Sequence, residues 1–190
     1  MSLFKNKYRI ASARWQQWDY TNPGAYFITI CTKNRICYFG KCEKQKMYLN
    51  EIGKMAEKFW FAIPQHFHNI SLDEFVIMPN HIHGIIIIQS INCDNTIVET
   101  LHCNVSTSIM HIAKNKQMSR ISPKSGSLST IIRSFKSVCT REINSKYSVD
   151  FKWQERFRDR VIRNKKEFQR IKQYIINNPK NWNVDKLFNE

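Results

Sequence analysis

The sequence predicts an α+β fold built around a central antiparallel sheet. Two apolar stretches separated only by Pro79-Asn80 predict a hairpin in the middle of the chain, and amphipathic helical spacing lies on either side of it. The predicted order is strand, helix, strand, strand, helix, strand, helix. The first six elements match the split β-α-β unit of a ferredoxin-like or RRM-like sandwich, and the last helix is an addition at the C-terminal end.

The first half of the chain predicts three strands and one helix. Residues 25–32 are β-branched and aromatic and follow an Asn-Pro-Gly turn signal, which predicts the first strand. Apolar residues recur three and four apart from Tyr48 to Ile63 and predict an amphipathic helix stopped by Pro64. Ile70 to Met78 and His81 to Gln89 are the two strands of the hairpin.

The middle of the chain is polar and poor in aromatic residues. We expect an insertion or loop at about 90–126, with a short helix at 109–116. Ser127 then caps a helix whose apolar positions begin at Leu128. We expect residues 1–190 to form one domain that carries this insertion.

The last part of the chain predicts an edge strand and a final helix. Phe151 to Ile162 alternates apolar and charged residues, as an edge strand does. Asn164 can cap a helix over Lys165 to Asn178, and Pro179 closes it.

Composition indicates a globular protein with anionic partners. Hydrophobic residues are 42% of the 190 and the formal net charge is +15, which favours nucleic acid. The longest apolar run is too short to cross a bilayer and the N-terminus lacks the apolar segment of a secretory signal, so we expect a cytoplasmic protein and no membrane partner. The six cysteines are irregularly spaced, without a C-x-x-C pair, and we expect free thiols.

His81 and His83 are candidate metal ligands. Residues two apart in a strand project from the same face, so the two imidazoles point together. They form either half of a divalent-metal site or a pair of polar residues on a solvent-facing side. His66-Phe-His68 has the same pattern outside any regular strand, and we expect it to be a surface feature.

Tyr174 and Asn178 are candidate partners of that histidine pair. They are four residues apart on the last helix and therefore lie on one side of it. The pair is either a nucleophile beside a metal ligand, or a core tyrosine followed by an Asn at the helix C-terminus.

In these motifs the chain resembles the IS200-like single-tyrosine (Y1) transposases of the HUH group, in particular their REP-associated tyrosine transposase (RAYT) branch. The resemblance spans 13–35, 75–88 and 153–182, in the family's order, and so covers most of the chain outside 90–126. The H-x-H pair followed by a Y-I-x-x-N-P helix is its most specific part.

This resemblance implies a DNA-cutting enzyme with residues in named roles. His81 and His83 would bind Mg²⁺ or Mn²⁺, and Tyr174 would be the nucleophile. Asn178 stands at the family's third-ligand position, where some relatives have the longer glutamine. The enzyme would cut and rejoin single-stranded DNA containing hairpins or palindromes through a 5′-phosphotyrosine link. It would act at the bacterial nucleoid, either as a homodimer or as a monomer.

The basic residues are the expected DNA contacts, although a charge run is also typical of a solvated face. The set is Arg9, Arg14, Arg156, Arg158, Arg160, Arg163, Lys165 and Lys166. Trp15, Trp18 and Tyr20 either stack on unpaired bases or pack against the core, with packing slightly favoured.

Two other functions were weighed against this prediction. A non-catalytic nucleic-acid-binding protein of the same fold is the main alternative. A histidine-triad nucleotide hydrolase is excluded, because Ile85 stands where its third histidine would be.

Overall fold

A computed structural model of the chain describes residues 18–90, 124–185, 187 and 188. Within them the strands are β1 (Gly24–Cys31), β2 (Gly40–Glu43), β3 (Lys46–Leu49), β4 (Ile70–Met78), β5 (His81–Ile88) and β6 (Arg158–Ile162). The helices are α1 (Glu51–Phe61), α2 (Ile63–His66), α3 (Leu128–Tyr147) and α4 (Lys165–Asn177), with 3-10 turns at Lys33–Arg35 and Pro179–Val184. No helix of this described part is long and apolar enough to cross a membrane.

Four strands form the central sheet in the order β4-β5-β1-β6, and each neighbouring pair is antiparallel. In this order the two strands of the β4-β5 hairpin lie beside each other, and β1 lies between β5 and β6. The arrangement is the ferredoxin-like topology, so the predicted α+β fold class is confirmed. The site therefore lies on a sheet whose two central strands, β1 and β5, are paired on both edges.

The two faces of the sheet carry different cores. Alternate residues of β1 and β5, such as Ile28 and Ile82, point to one face and pack with Trp60 of α1 and Phe135 of α3. On the opposite face, Ile85 packs with residues of α4. Because side chains alternate along β5, His81 and His83 share the α4 face with Ile85. The last helix thus covers the side of the sheet that carries the histidines.

The predicted helix over Tyr48–Ile63 is wrong at its start. Tyr48 belongs to β3, which pairs with β2 in a hairpin that the sequence did not reveal. α1 begins only after Asn50, whose side chain accepts a hydrogen bond from the Gly53 amide and caps the helix. The apolar residues of β3 happen to continue the helical spacing. The spacing alone therefore does not show that the helix begins after Asn50.

The predicted edge strand over Phe151–Ile162 is wrong in its first half, since only β6 belongs to the sheet. The segment before β6 enters the core instead: Phe151 is fully buried and Trp153 nearly so, and both rings pack against Phe39. An isolated bridge from Thr32 to Trp153 is its only β pairing among the described residues.

Two other expectations concern the polar insertion. The short helix at 109–116 and nearly all of the segment at 90–126 lie outside the described residues. The single domain over 1–190 stays a prediction for the same reason. The described cysteines, Cys31, Cys37, Cys42 and Cys139, are free thiols.

Candidate active site

The histidine pair is buried, which argues against two polar residues on a solvent-facing side. His81 is 0% exposed and His83 is 2% exposed, and their ring centroids are 4.5 Å apart. β5 pairs with β1 so that Cys31 lies opposite His81 and Thr29 opposite His83. The paired strand therefore holds both imidazoles side by side in the protein interior.

Asn80 determines which nitrogen of His81 is protonated. The Asn80 amide nitrogen donates to the carbonyls of Arg35 (3.2 Å) and Leu187 (2.9 Å), so its oxygen faces His81. That oxygen lies 2.8 Å from His81 Nδ1 and can only accept a hydrogen bond. Nδ1 therefore carries the proton. Nε2 is left with a lone pair, and it has no hydrogen-bond partner among the described residues.

His83 joins the sheet to the last helix. Its Nδ1 lies 2.9 Å from the Thr29 hydroxyl, and its Nε2 lies 3.3 Å from the hydroxyl of Tyr174. Burial lowers the pKa of His83 to about 4 and lowers the pKa of His81 well below its usual value. Both rings are therefore neutral near pH 7, the state in which imidazole binds a metal.

Tyr174 faces an open cavity beside His83. It is 45% exposed, and its ring meets Phe27 edge-on with 6.0 Å between centroids. The cavity has a volume of about 600 Å³, and Tyr174, His83 and Asn178 all line it. Burial, and then the charge of Asp185, raise the pKa of the Tyr174 phenol above its usual value. The hydroxyl is protonated near neutral pH and accessible to a ligand in the cavity.

Asn178 is the C-terminal cap of α4 and is 1% exposed. Its amide nitrogen donates to Asp185 Oδ2 at 3.0 Å. Its side-chain oxygen is buried and has no hydrogen-bond partner within the described part of the chain. Buried polar atoms are rarely left in that state unless a ligand completes them.

Asp185 is the member of the site that sequence reasoning missed. Its carboxylate and a nitrogen of each of His81 and His83 all lie within 4.8 Å of one another. Metal–ligand bonds of about 2.1 Å place opposite ligands about 4.2 Å apart, so one divalent ion fits with small shifts. No local pattern announces Asp185, because it reaches the histidines only when the Pro179–Val184 turn folds the chain back over them.

The predicted DNA contacts fall into three groups. Arg158 and Arg160 line the same cavity as Tyr174. Arg160, Arg163 and Lys166 line a neighbouring groove together with Arg170, while Arg156 and Lys165 are exposed elsewhere. Arg160 is partly neutralised by Glu167, 2.6 Å away. The positions of Arg9 and Arg14 lie outside the described residues.

The aromatic residues near the N-terminus pack against the sheet. Trp18 donates from its indole nitrogen to the Tyr26 hydroxyl at 3.1 Å, and the Tyr20 ring lies 5.9 Å from the Tyr26 ring. These contacts favour core packing over base stacking, and Trp15 lies outside the described residues. His66 and His68 are exposed, as expected of a surface pair.

Comparison with known proteins bears on the family and the fold. No family model matches the chain. An uncharacterized protein of Haemophilus influenzae is 35% identical over 181 residues, which is 93% of this chain and 92% of that protein. The solved structure of a REP-associated tyrosine transposase bound to a REP hairpin matches with a TM-score of 0.52 at 16% identity, covering 88% of this chain and 73% of that one.

Proposed function

Because the chain belongs to one family with the Haemophilus influenzae protein and has the fold of a REP-associated tyrosine transposase, we propose that it is a DNA transposase. It cuts and rejoins hairpin-containing single-stranded DNA, as a single-strand endonuclease and ligase. One observation carries the proposal: the accessible Tyr174 hydroxyl lies 3.3 Å from Nε2 of the buried His83, at an open cavity.

The proposed reaction exchanges one phosphodiester for another. The Tyr174 oxygen forms a bond to the scissile phosphorus, and the bond from phosphorus to the 3′ oxygen breaks. The tyrosine loses its proton, and the departing 3′ oxygen gains one and becomes a free 3′-OH. A second 3′-OH reverses the step and releases the tyrosine, so rejoining needs no ATP.

A divalent metal fits the buried donors of the site. His81, His83 and Asn178 would hold Mg²⁺ or Mn²⁺. The lone pair on His81 Nε2 and the Asn178 oxygen have no other partner among the described residues and are available to the ion. When bound, the metal would polarise the scissile phosphate as a Lewis acid. Asn80 and Thr29 prepare the ligands by holding the ring nitrogens that face away from the metal.

The cationic surface beside the nucleophile suits a DNA strand. Arg158 lines the cavity, and Arg163, Lys166 and Arg170 continue the positive charge into the neighbouring groove. A strand that follows this surface would bring a phosphate to Tyr174. The structural neighbour was solved with a REP hairpin, and we infer hairpin or palindromic DNA as the substrate here as well.

The test is covalent attachment of protein to DNA. Purified protein with Mn²⁺ or Mg²⁺ is incubated with a single-stranded hairpin oligonucleotide and resolved on a denaturing gel. We expect an adduct with unaltered protein and none with Tyr174→Phe, because only the attacking oxygen is lost. Tyr48→Phe is the matched control: Tyr48 is similarly exposed, at 49%, but lies on β3, and the adduct should persist.

Binding measured with the same oligonucleotide separates the proposal from its main alternative. Tyr174→Phe should retain hairpin affinity, since the hydroxyl contributes little to binding. A chain that binds the hairpin but forms no adduct with either metal is a non-catalytic nucleic-acid-binding protein. An adduct that survives Tyr174→Phe would show that the nucleophile is another residue.

A further inference from the structure

We propose that Asp185 is a metal ligand, which makes the site two histidines and a carboxylate with Asn178 beside them. The inference rests on the proposed function, because it concerns the metal of that same site. It adds a charged residue that comes from beyond the last helix. It also gives a role to the residues after α4.

The Asp185 carboxylate is already oriented toward the histidines. One of its oxygens accepts from the Asn178 amide nitrogen at 3.0 Å, and the other accepts from the backbone amide of Leu187 at 2.7 Å. A carboxylate bonded to both of these donors has little freedom to rotate. The remaining lone pairs of its oxygens are available to an ion shared with His81 and His83.

The segment after α4 holds Asp185 in this place. We name residues 179–185, 187 and 188 the C-terminal clamp. Its Trp182 is buried against the His81 ring, with centroids 5.9 Å apart. The Leu187 carbonyl accepts from Asn80, the same residue that sets the His81 tautomer. The clamp and the histidine strand are therefore also linked through Asn80.

Two buried atoms without a hydrogen-bond partner support a ligand in the space between these groups. His81 Nε2 and the Asn178 oxygen have no hydrogen-bond partner among the described residues, and both side chains are almost completely buried. The Asp185 carboxylate lies beside both residues. An ion placed between them would satisfy the two orphaned atoms and the carboxylate together.

Charge gives a reason for a carboxylate at this point. Arg158 and Arg160 line the same cavity, and their charges oppose the entry of a dication. Asp159 in the cavity and Glu167 beside Arg160 offset part of that charge, but neither belongs to the histidine group, and two neutral imidazoles and an amide bring no negative charge of their own. One carboxylate lowers the charge of the metal site from +2 to +1, which still attracts a phosphate. Oxygen donors of this kind also suit Mn²⁺ and Mg²⁺.

The test measures Mn²⁺ binding to the full chain without DNA, by calorimetry or by the paramagnetic resonance of free Mn²⁺. Asp185→Asn should raise the dissociation constant at least about tenfold. His81→Ala serves as the reference for a lost ligand. Asp159→Asn is the matched control. Asp159 lines the same cavity, and the substitution removes the same charge, but Asp159 is not part of the histidine group. The dissociation constant of Mn²⁺ should change less than about threefold in this variant.

A double variant separates ligation from support of Asn178. If Asp185 acted only by holding the Asn178 amide, Asp185→Asn would have no further effect in an Asn178→Ala chain. We expect it to weaken Mn²⁺ binding there as well. Unchanged affinity in Asp185→Asn, or an equal loss in Asp159→Asn, overturns the inference while the histidine site stands. Failure of the unaltered chain to bind Mn²⁺ overturns both the inference and the proposed metal site.

Discussion

At the scale of single residues, the site contains two buried polar atoms, His81 Nε2 and the Asn178 oxygen, that have no hydrogen-bond partner among the described residues. Asn80 occupies Nδ1 of His81, whose Nε2 has no partner among the described residues. Thr29 occupies Nδ1 of His83, whose Nε2 lies 3.3 Å from the Tyr174 hydroxyl. Such buried groups lower stability unless a ligand completes them. Their burial is therefore better explained by binding than by packing.

Periodicity predicted part of this site and could not predict the rest. The two-residue spacing of His81 and His83 placed them on one face of a strand, and the four-residue spacing of Tyr174 and Asn178 placed them on one side of a helix. Their meeting in space depends on where α4 packs, and only the family resemblance indicated it. Asp185 follows no periodic pattern, because a 3-10 turn carries it back to the histidines.

The half-buried Lys136 of α3 makes stability depend on pH. Burial lowers the pKa of Lys136 to about 8, and its amine donates to the carbonyls of Gln154 and Glu155. Between about pH 8 and 10.5 the unfolded chain holds a proton that the folded chain has released. The free energy of unfolding should therefore rise with pH across this range because of Lys136.

Denaturant unfolding at several pH values checks this expectation against Lys136→Met, which keeps much of the side-chain volume without an ionisable group. The native chain should gain stability relative to the variant from pH 8 to 10. A constant difference between the two chains would contradict the assigned pKa, because other titrating groups are common to both.

At the scale of elements, the fold is recognised where periodicity is undisturbed. The β4-β5 hairpin, β1 and α4 match their predicted positions closely, since each has a clear apolar spacing and an evident boundary. The β2-β3 hairpin was missed because its turn residues, Lys44 and Gln45, have positive φ values of 49° and 62° without the usual glycine. Phe151 and Trp153 were placed in a strand because alternation alone does not reveal which apolar residues pack as a buried loop.

The contact between β5 and α1 depends on a glycine next to the histidine pair. A Cβ at Gly84 would lie 2.3 Å from Cζ2 of Trp60 and 3.2 Å from Cβ of Phe75. Gly84→Ala should therefore lower the free energy of unfolding by about 1–3 kcal/mol, the usual range for overpacking. Urea unfolding measures the change.

Trp60→Phe supplies the partner for a double-mutant cycle, because it removes the ring atoms that the new methyl group would meet. We expect the double variant to lose less stability than the sum of the two single changes. If the losses in free energy of unfolding were strictly additive, the methyl group would be accommodated in some other way. Contact with Trp60 would then not be the reason for a glycine at position 84.

At the scale of the whole molecule, one face of the central sheet packs against the main hydrophobic core and the other carries the candidate site. α1 and α3 bury one side, while α4 and the C-terminal clamp cover the histidines on the other. Each proposed participant, from the histidines to Tyr174, comes from the same chain. Within the described part of one chain, the Tyr174 hydroxyl lies 3.3 Å from Nε2 of His83.

In the proposed reaction Tyr174 becomes covalently joined to DNA. The most direct measurement is to trap the adduct formed with a hairpin oligonucleotide, digest it with nuclease and protease, and sequence the modified peptide by mass spectrometry. We expect a peptide in which Tyr174, and no other residue, carries a 5′-phosphorylated nucleotide. A nucleotide joined to any other side chain, or attached through its 3′ phosphate, would contradict it.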